Sequence, residues 1–450
     1  MECMNKILLL PATLWRTARA YAQKLWVRVL AMGCLSLAAL GVTQLIELFV
    51  PDNLSSAMSG AAADRLLDII ASAMLSVTIF SMTVMVSVYR SSASQWTPRV
   101  HRLIMKDPTT QKTLAAFIGA YVYALVAIVL RETGVFGDEH ALVVFWLTVL
   151  VLAFVVYSLI RWVLHLQTFG SLLHTTRQVE SITKERFQER LRTPCFGANP
   201  LKGAVPDGAC PMTSDQSGYI QHLFPEGLNA VAERYDVRFY LPHSIGYFVF
   251  LHEPLLWVEG DIDGGDGDKE EFRSLVLSHI NVRDLRDYEQ DPRFGLTVMG
   301  EIASKALSPG INDPGTAIDV ITRVGRILSS YSSENRTDLP GANEDAGGEE
   351  EADGPDLDRL WIPPLKPHDL LNDGFGTLTR DGAQLFEVQN RLQTTLAGLM
   401  RHPDQGLRDA ARDFAELALR RALQAMEFEP DRARLLDSVD DKLRQRLSDA

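Results

Sequence analysis

The sequence predicts a membrane α-helical protein with four transmembrane helices, followed by a cytoplasmic α+β domain with a β-rich part and a helical C-terminal part. Apolar residues crowd the chain ahead of Arg161 and charged residues crowd the rest, although the mean hydropathy of the 450 residues is close to zero. Four apolar stretches in the first half approach the ~20 residues that a helix needs to cross a ~30 Å hydrocarbon layer. Basic residues fence these stretches on alternate sides.

Residues 1–26 form a basic segment in which Trp15, Arg16, Arg19, Tyr21, Lys24 and Trp26 suit either a helix at headgroup depth or an extension of the first span. The transmembrane domain is expected over 27–165, with spans at about 27–49, 66–89, 114–130 and 141–164. In lipid every backbone polar group must pair internally, so such runs become helices. The first is too long for a signal peptide, and no small-residue cleavage site follows it. Lys6, Arg16, Arg19, Lys24 and Arg28 precede it; Arg90, Arg99, Arg102, Lys106 and Lys112 separate the second and third; Arg161, Arg177 and Lys184 follow the fourth. The other two connections are short and acidic or nearly neutral, which places both termini on the cytoplasmic side.

The second span carries Ser72, Ser76, Thr83 and Ser87 at helical spacing. Small hydroxylated residues let helices approach closely, and the same face in an oligomer would line a polar pathway. No Asp, Glu, Lys, Arg or His lies in the middle of any span. Proton relays and ion-coupled pumps use such residues, so active transport loses ground. The basic connection that follows, with Gln95, Trp96, Pro98 and Arg99, is an elbow suited to coupling the membrane and soluble parts.

Residues 166–217 read as a charged helical stalk, Ser171 to about Phe187, and then a Pro/Gly/Cys-rich linker. A β-rich subdomain over 218–290 starts at Gly218-Tyr219-Ile220, has a short helix at Pro225–Arg234, and continues in the runs Val237–Leu241, Tyr247–Leu251 and Leu255–Val258. Within it the Asp/Gly run Asp261–Asp268 fails the EF-hand template, because loop positions six and twelve are Asp266 and Phe272 rather than Gly and Glu. It reads as a solvated hairpin turn.

Residues 291–332 form a helix–loop–helix. Phe294–Leu307 ends at Ser308-Pro309-Gly310, and Asp313 and Pro314 are an N-cap and first-turn residue for a helix reaching about Ser330. Glu301/Lys305 and Asp319/Arg323 are spaced as i,i+4 pairs. Residues 333–358 form an acidic linker with ten carboxylates against Arg336 alone, the source of most of the net charge of −13, and read as disordered. Residues 359–450 form a helical subdomain with Leu385, Val388, Leu392, Leu396 and Leu399 on one face, a possible contact between copies.

The run Ala306-Leu307-Ser308-Pro309-Gly310-Ile311-Asn312-Asp313-Pro314, with Thr316-Ala317 after it, resembles the signature of the bacterial membrane proteins grouped as domain of unknown function 2254. Phe80-Ser81, the stretch Ser94–Arg99, Ser217–Ile220 and Glu289–Gly295 resemble further segments of that family in the same order. One departure stands out: His252 occupies a position before Glu253-Pro254-Leu255 where the family often has Gly. The resemblance implies a bacterial inner-membrane location and this architecture, and no activity.

The sequence excludes several function classes. Nucleic-acid binding wants a basic face in the soluble half, and none is visible. There is no P-loop, dinucleotide fingerprint, HExxH or GxSxG, so an enzyme is not expected, and neither is a cofactor. Cys3, Cys34, Cys195 and Cys210 are too scattered for zinc and read as free thiols. His222, His243, His252 and His279 read as half-buried strand residues rather than metal ligands. Two readings are left. One is a homo-oligomeric channel or passive pore with a cytoplasmic vestibule or gate, its ion unspecified. The other is a membrane-anchored sensor, regulator or scaffold binding a small ligand or protein. The signature loop residues Ser308, Pro309, Gly310, Asn312, Asp313 and Pro314 suit either a plain helix–loop–helix or a site built on the helix N-terminus.

Overall fold

The computed structural model describes residues 60–135, 141–262, 265–333, 356–440 and 443–445, and six positions between 27 and 41. It divides into two compact units at Thr175/Thr176.

In the first unit, helix α1 runs over Gly60–Gln95, α2 over Pro98–Met105, α3 over Pro108–Glu132 and α4 over Ala141–Leu166. Two X-Pro steps set these boundaries. The residue before proline is disfavoured in helical conformation, and proline is well suited to a first turn. Thr97 therefore caps α2, and Asp107 caps α3 by accepting the Thr110 N–H at 2.7 Å. Among the described residues, the helices long and apolar enough to cross a membrane are Ala61–Gln95, the Pro98–Glu132 stretch and Leu142–Leu166. The first two contain the second and third expected spans and overrun them, because polar turns continue the helices, and the last matches the fourth to within two residues at each end. At 36 residues α1 is ~54 Å long, well beyond the hydrocarbon thickness. Of the first expected span, Val27, Leu30, Gly33, Cys34, Ala38 and Gly41 are helical. The rest of it, and the basic segment before it, lie outside the described residues.

The unit's core joins Leu67, Ile70 and Met74 of α1 to Phe117, Ala120, Tyr123, Ala124 and Ala127 of α3 and to Val144, Val155 and Trp162 of α4. The alanines of α3 permit close backbone approach. Tyr123 and Thr148 share a buried hydrogen bond at 3.0 Å across α3 and α4, and Arg131 pairs with Asp64.

In the second unit, helix α5 spans Leu172–Arg192, with Thr176 the first of its residues in this unit. After a 3₁₀ turn the chain gives β1 (Ala198–Pro200), β2 (Cys210–Thr213), β3 (Gly218–Leu223), α6 (Pro225–Arg234), β4 (Arg238–Tyr240), β5 (Phe248–Val249), β6 (Pro254–Glu259), α7 (Asp266–Ser278) and β7 (Ile280–Arg283). Then come α8 (Pro292–Ala306), α9 (Pro314–Leu328), β8 (Leu357–Ile362), α10 (Pro367–Asp381), α11 (Phe386–Leu399), α12 (Gln405–Ala425) and α13 (Glu429–Ser438). One sheet has the order β1-β8-β4-β6-β2 and a smaller antiparallel one the order β5-β3-β7.

The β-rich region differs from expectation in three places. The 166–217 stretch is more than stalk and linker, since it supplies β1 and β2. Of the Asp261–Asp268 run, expected as a hairpin turn, residues 263 and 264 lie outside the described residues, and Asp266–Asp268 open α7, whose Phe272 and Val276 are buried in the shared core. Strand β8, expected as linker and helix, lies between β1 and β4 and runs parallel to both. Phe239 pairs with Leu360 and Tyr240 with Trp361, whose rings stack at 4.8 Å.

Helices α8 to α12 pack on one another. Their buried faces include Phe294, Met299, Ile321, Val324, Phe375, Leu392 and Phe414. On α11, Val388, Leu392, Leu396 and Leu399 are buried as expected, while Leu385 is the N-cap and only half-buried. Helix α5 is tied to α9 by an ion-pair cluster: the buried Glu180 accepts from the buried Arg323 and, at 3.0 Å, from the exposed Arg326. Arg323 also donates to Asp319, the expected pair, at 2.7 Å.

Candidate functional site

The hydroxyl face of α1 points away from the core of its own unit. Ser72, Ser76, Thr83 and Ser87 are exposed, whereas Ala63, Leu67, Ile70, Met74 and Ser81 are buried. At ~100° per residue the two faces lie roughly 160° apart. Ser72, Ser76 and Thr83 satisfy their hydroxyls on their own helix, donating to the carbonyls of Asp68 (2.8 Å), Ser72 (3.1 Å) and Ile79 (2.9 Å). Large apolar residues flank the stripe, Ile79 58% and Phe80 62% exposed. The stripe is thus not the surface that packs on α3 and α4.

The elbow is a tight turn inside the first unit. Trp96 is buried, Gln95 and Pro98 are exposed and Arg99 is half-buried. Around it Ser92 Oγ and His101 Nδ1 sit 2.7 Å apart, and Asp107 pairs with His165 at 2.9 Å.

The signature loop folds as a tight connection between α8 and α9. The Ile311 and Asn312 N–H groups both donate to the Ser308 carbonyl, at 3.0 and 2.9 Å, and the Asp313 N–H donates to the Ala306 carbonyl at 2.8 Å. Pro309, Gly310 and Asn312 are exposed, and Ser308, Asp313 and Pro314 are half-buried. Asn312 adopts φ 51°, the left-handed region that Asn tolerates. Asp313 caps α9 by accepting from the Thr316 hydroxyl and N–H, and these bonds hold its carboxyl below the usual 3.8.

A fourth place brings together residues that are far apart in sequence. The loop after β4 (Pro242–Tyr247), the segment leading into the first turn of α8 (Arg286–Arg293) and the loop after β8 with the first turn of α10 (Pro363–Asp369) enclose a cavity of about 270 Å³. A neighbouring cavity of about 350 Å³, which Lys202 also lines, shares Pro242, Pro363, Pro364 and Lys366 with it. Behind the cavity wall Asp291, 3% exposed, accepts from the lining Arg286 Nε at 2.8 Å and caps α8 by accepting from the Phe294 N–H at 3.0 Å. Burial pushes the Asp291 carboxyl up, with Arg286 opposing. Arg293 donates to Asp373 at 2.6 Å and to Asp369 at 3.2 Å. Gly246 closes the wall: at φ 86° an added Cβ would sit 2.1 Å from Asp291 Oδ2, so only glycine fits.

On the rim the His243 and Tyr247 rings stack at 3.8 Å, and the Tyr247 hydroxyl donates to Glu253 at 2.9 Å. Burial lowers His243 and Glu253 opposes it, while the hydrogen bond to Glu253 raises Tyr247. Of the histidines expected on strands, His222 is on β3; His243 and His252 lie in loops and His279 caps α7. No group of three or more metal-capable side chains occurs among the described residues.

Sequence reasoning missed this cleft because its walls come from stretches 39 or more residues apart. The Glu289–Gly295 run was visible in sequence as a family segment. Nothing local marked Arg286, Lys366 and Gly246 as its neighbours.

The family model described as a predicted membrane protein, DUF2254, matches residues 22–398. The chain belongs to the DUF2254 family. The match takes in all three long apolar helices, both sheets, the signature loop and every residue of the cleft; α12 and α13 lie beyond it. Uncharacterized proteins of Mycobacterium bovis and Mycobacterium tuberculosis are 27% identical to this DUF2254 chain over 384 residues, covering 80% of it and 68% of theirs. No solved structure matches the chain.

Proposed function

We propose that the protein is the protomer of an oligomeric channel or passive transport path in a bacterial inner membrane, with its second unit on the cytoplasmic side as vestibule or gate. The observation that carries this reading is the position of Ser72, Ser76, Thr83 and Ser87, opposite the face by which α1 packs within its own unit. A ring of such helices would turn the hydroxyls inward and bury Ile79 and Phe80 between neighbours. The carbonyl-bonded hydroxyls keep an acceptor lone pair for water or an ion. The lack of any ionisable residue in the middle of the described spans supports passive passage over coupled pumping.

Cysteines at Ser76 and Thr83 are expected to react with small water-soluble thiol reagents and to make ion flux into proteoliposomes sensitive to them. Protection of both positions in folded protein would sink the channel reading. The cleft favours a second reading, an anchored sensor whose cytoplasmic unit takes a ligand. A chain that is silent in flux assays as a monomer or dimer would favour it.

A further inference from the structure

We infer that the cleft between the β4 loop, the start of α8 and the β8–α10 loop is a binding site for a small multivalent anion of the phosphate or carboxylate class. The inference stands under either functional reading, since it rests on the geometry of the cleft alone.

The charges lining the cavity are Arg286, Arg293 and Lys366 against Asp369, with Asp291 and Asp373 pairing to the two arginines beside it. The three cations differ in their engagement. Arg293 is fully engaged, because its Nε and both terminal nitrogens bond to Asp373 and Asp369. Arg286 is held from the side. It gives Nε to Asp291, and its guanidinium lies 5.2 Å from the Phe294 ring centre. Among the described residues no hydrogen bond or ion pair engages its two terminal nitrogens. Lys366 is exposed and likewise has no ion pair among the described residues.

That arrangement orders a guanidinium while leaving its fork of N–H groups available, and the fork matches two oxygens of a carboxylate or phosphate. The ordering comes from a buried carboxylate, Asp291, that has no other cation partner as close. Lys366 adds a mobile point charge on the same cavity wall.

Size limits the ligand. Drug-sized ligands occupy roughly 300–1,000 Å³, and about 270 Å³ lies just below that range. Phosphate, pyrophosphate or a small di- or tricarboxylate fits, and a nucleotide would have to extend into the neighbouring cavity beside Lys202. The stacked His243 and Tyr247 rings form a flat side to the cavity.

Thermal unfolding of the full chain in detergent tests this with sodium phosphate, pyrophosphate and citrate at matched ionic strength. Pyrophosphate or citrate is expected to raise the midpoint by several degrees. Lys366→Glu, at an exposed position, should keep the unliganded midpoint and weaken apparent affinity by about tenfold or more, because it replaces attraction by repulsion. Arg286→Lys keeps a cation on Asp291 but removes the fork, and should weaken binding while Asp291 stays paired. A shift equal in wild type and Lys366→Glu would overturn the site, as would no shift with any of the three anions together with no Lys366-dependent rise in anionic lipid. Nanodiscs of phosphatidylglycerol against phosphatidylcholine separate the source: a Lys366-dependent rise with the anionic lipid and none with soluble anions would assign the site to a headgroup. None of these readouts uses ion flux, so a silent channel assay leaves the inference standing.

Discussion

At the scale of single residues, backbone conformation decides more than residue type. Gly246 and His252 both have positive φ, at 86° and 67°. At Gly246 the conformation and the Asp291 contact together exclude a side chain. Gly246→Ala is therefore expected to cost at least about 2–3 kcal/mol, read by chemical denaturation of the purified protein. His252 is the opposite case, exposed and strained, at the position where the resemblance expects glycine. Relief of a left-handed L-residue is worth ~1–2 kcal/mol, and glycine gives back ~0.5–1 in unfolded-chain entropy. His252→Gly should thus stabilise by about 0.5–1 kcal/mol. A loss of stability would show that the His252 ring makes a contact worth more than the strain. The φ values could not be read from the sequence; only the family comparison marked His252 as unusual.

At the scale of elements, caps and X-Pro steps made boundaries legible. Asp107-Pro108, Asp291-Pro292 and Asp313-Pro314 each start a helix, with the aspartate accepting an N–H three residues on. The Asp313 cap carries a pH dependence of known sign. Its carboxyl is held below its ordinary value, so its stabilisation is present above about pH 4 and is lost as pH falls through the lowered folded value. Asp313→Ala is expected to cost about 1 kcal/mol at about pH 7. The gap between variant and wild type should narrow below about pH 4, as denaturant titrations at several pH values would show. A gap that stays constant down to about pH 3 would mean that the charge plays no part in the cap. The strands were less legible than the helices. β5 is two residues long and β4 three, too short for any period of two to emerge from the sequence.

At the scale of the molecule, the largest departure from expectation is β8. Its sequence, Leu357–Ile362, follows the acidic stretch and by sequence alone reads with it, yet Leu360 and Ile362 are fully or almost fully buried beside β4. The sheet is closed by a segment more than 90 residues after β6. Leu360→Ala is expected to destabilise the second unit by about 2–5 kcal/mol, as for other buried leucines, and to leave the helical signal of the first unit intact. Destabilisation below about 1 kcal/mol would show that the strand is an accessory.

By itself the sequence determined the three long apolar helices, their approximate ends, the α8–α9 connection and the family. Each of these rests on properties a short stretch of chain carries alone: apolar length against bilayer thickness, capping side chains, and the fixed φ of proline. Only the tertiary structure decided which face of α1 is buried, that β8 completes the sheet, and that Gly246, Arg286, Asp291 and Lys366 share one cavity. Those outcomes depend on distant segments meeting, and the free energy that selects the meeting belongs to the pair and to neither partner's sequence.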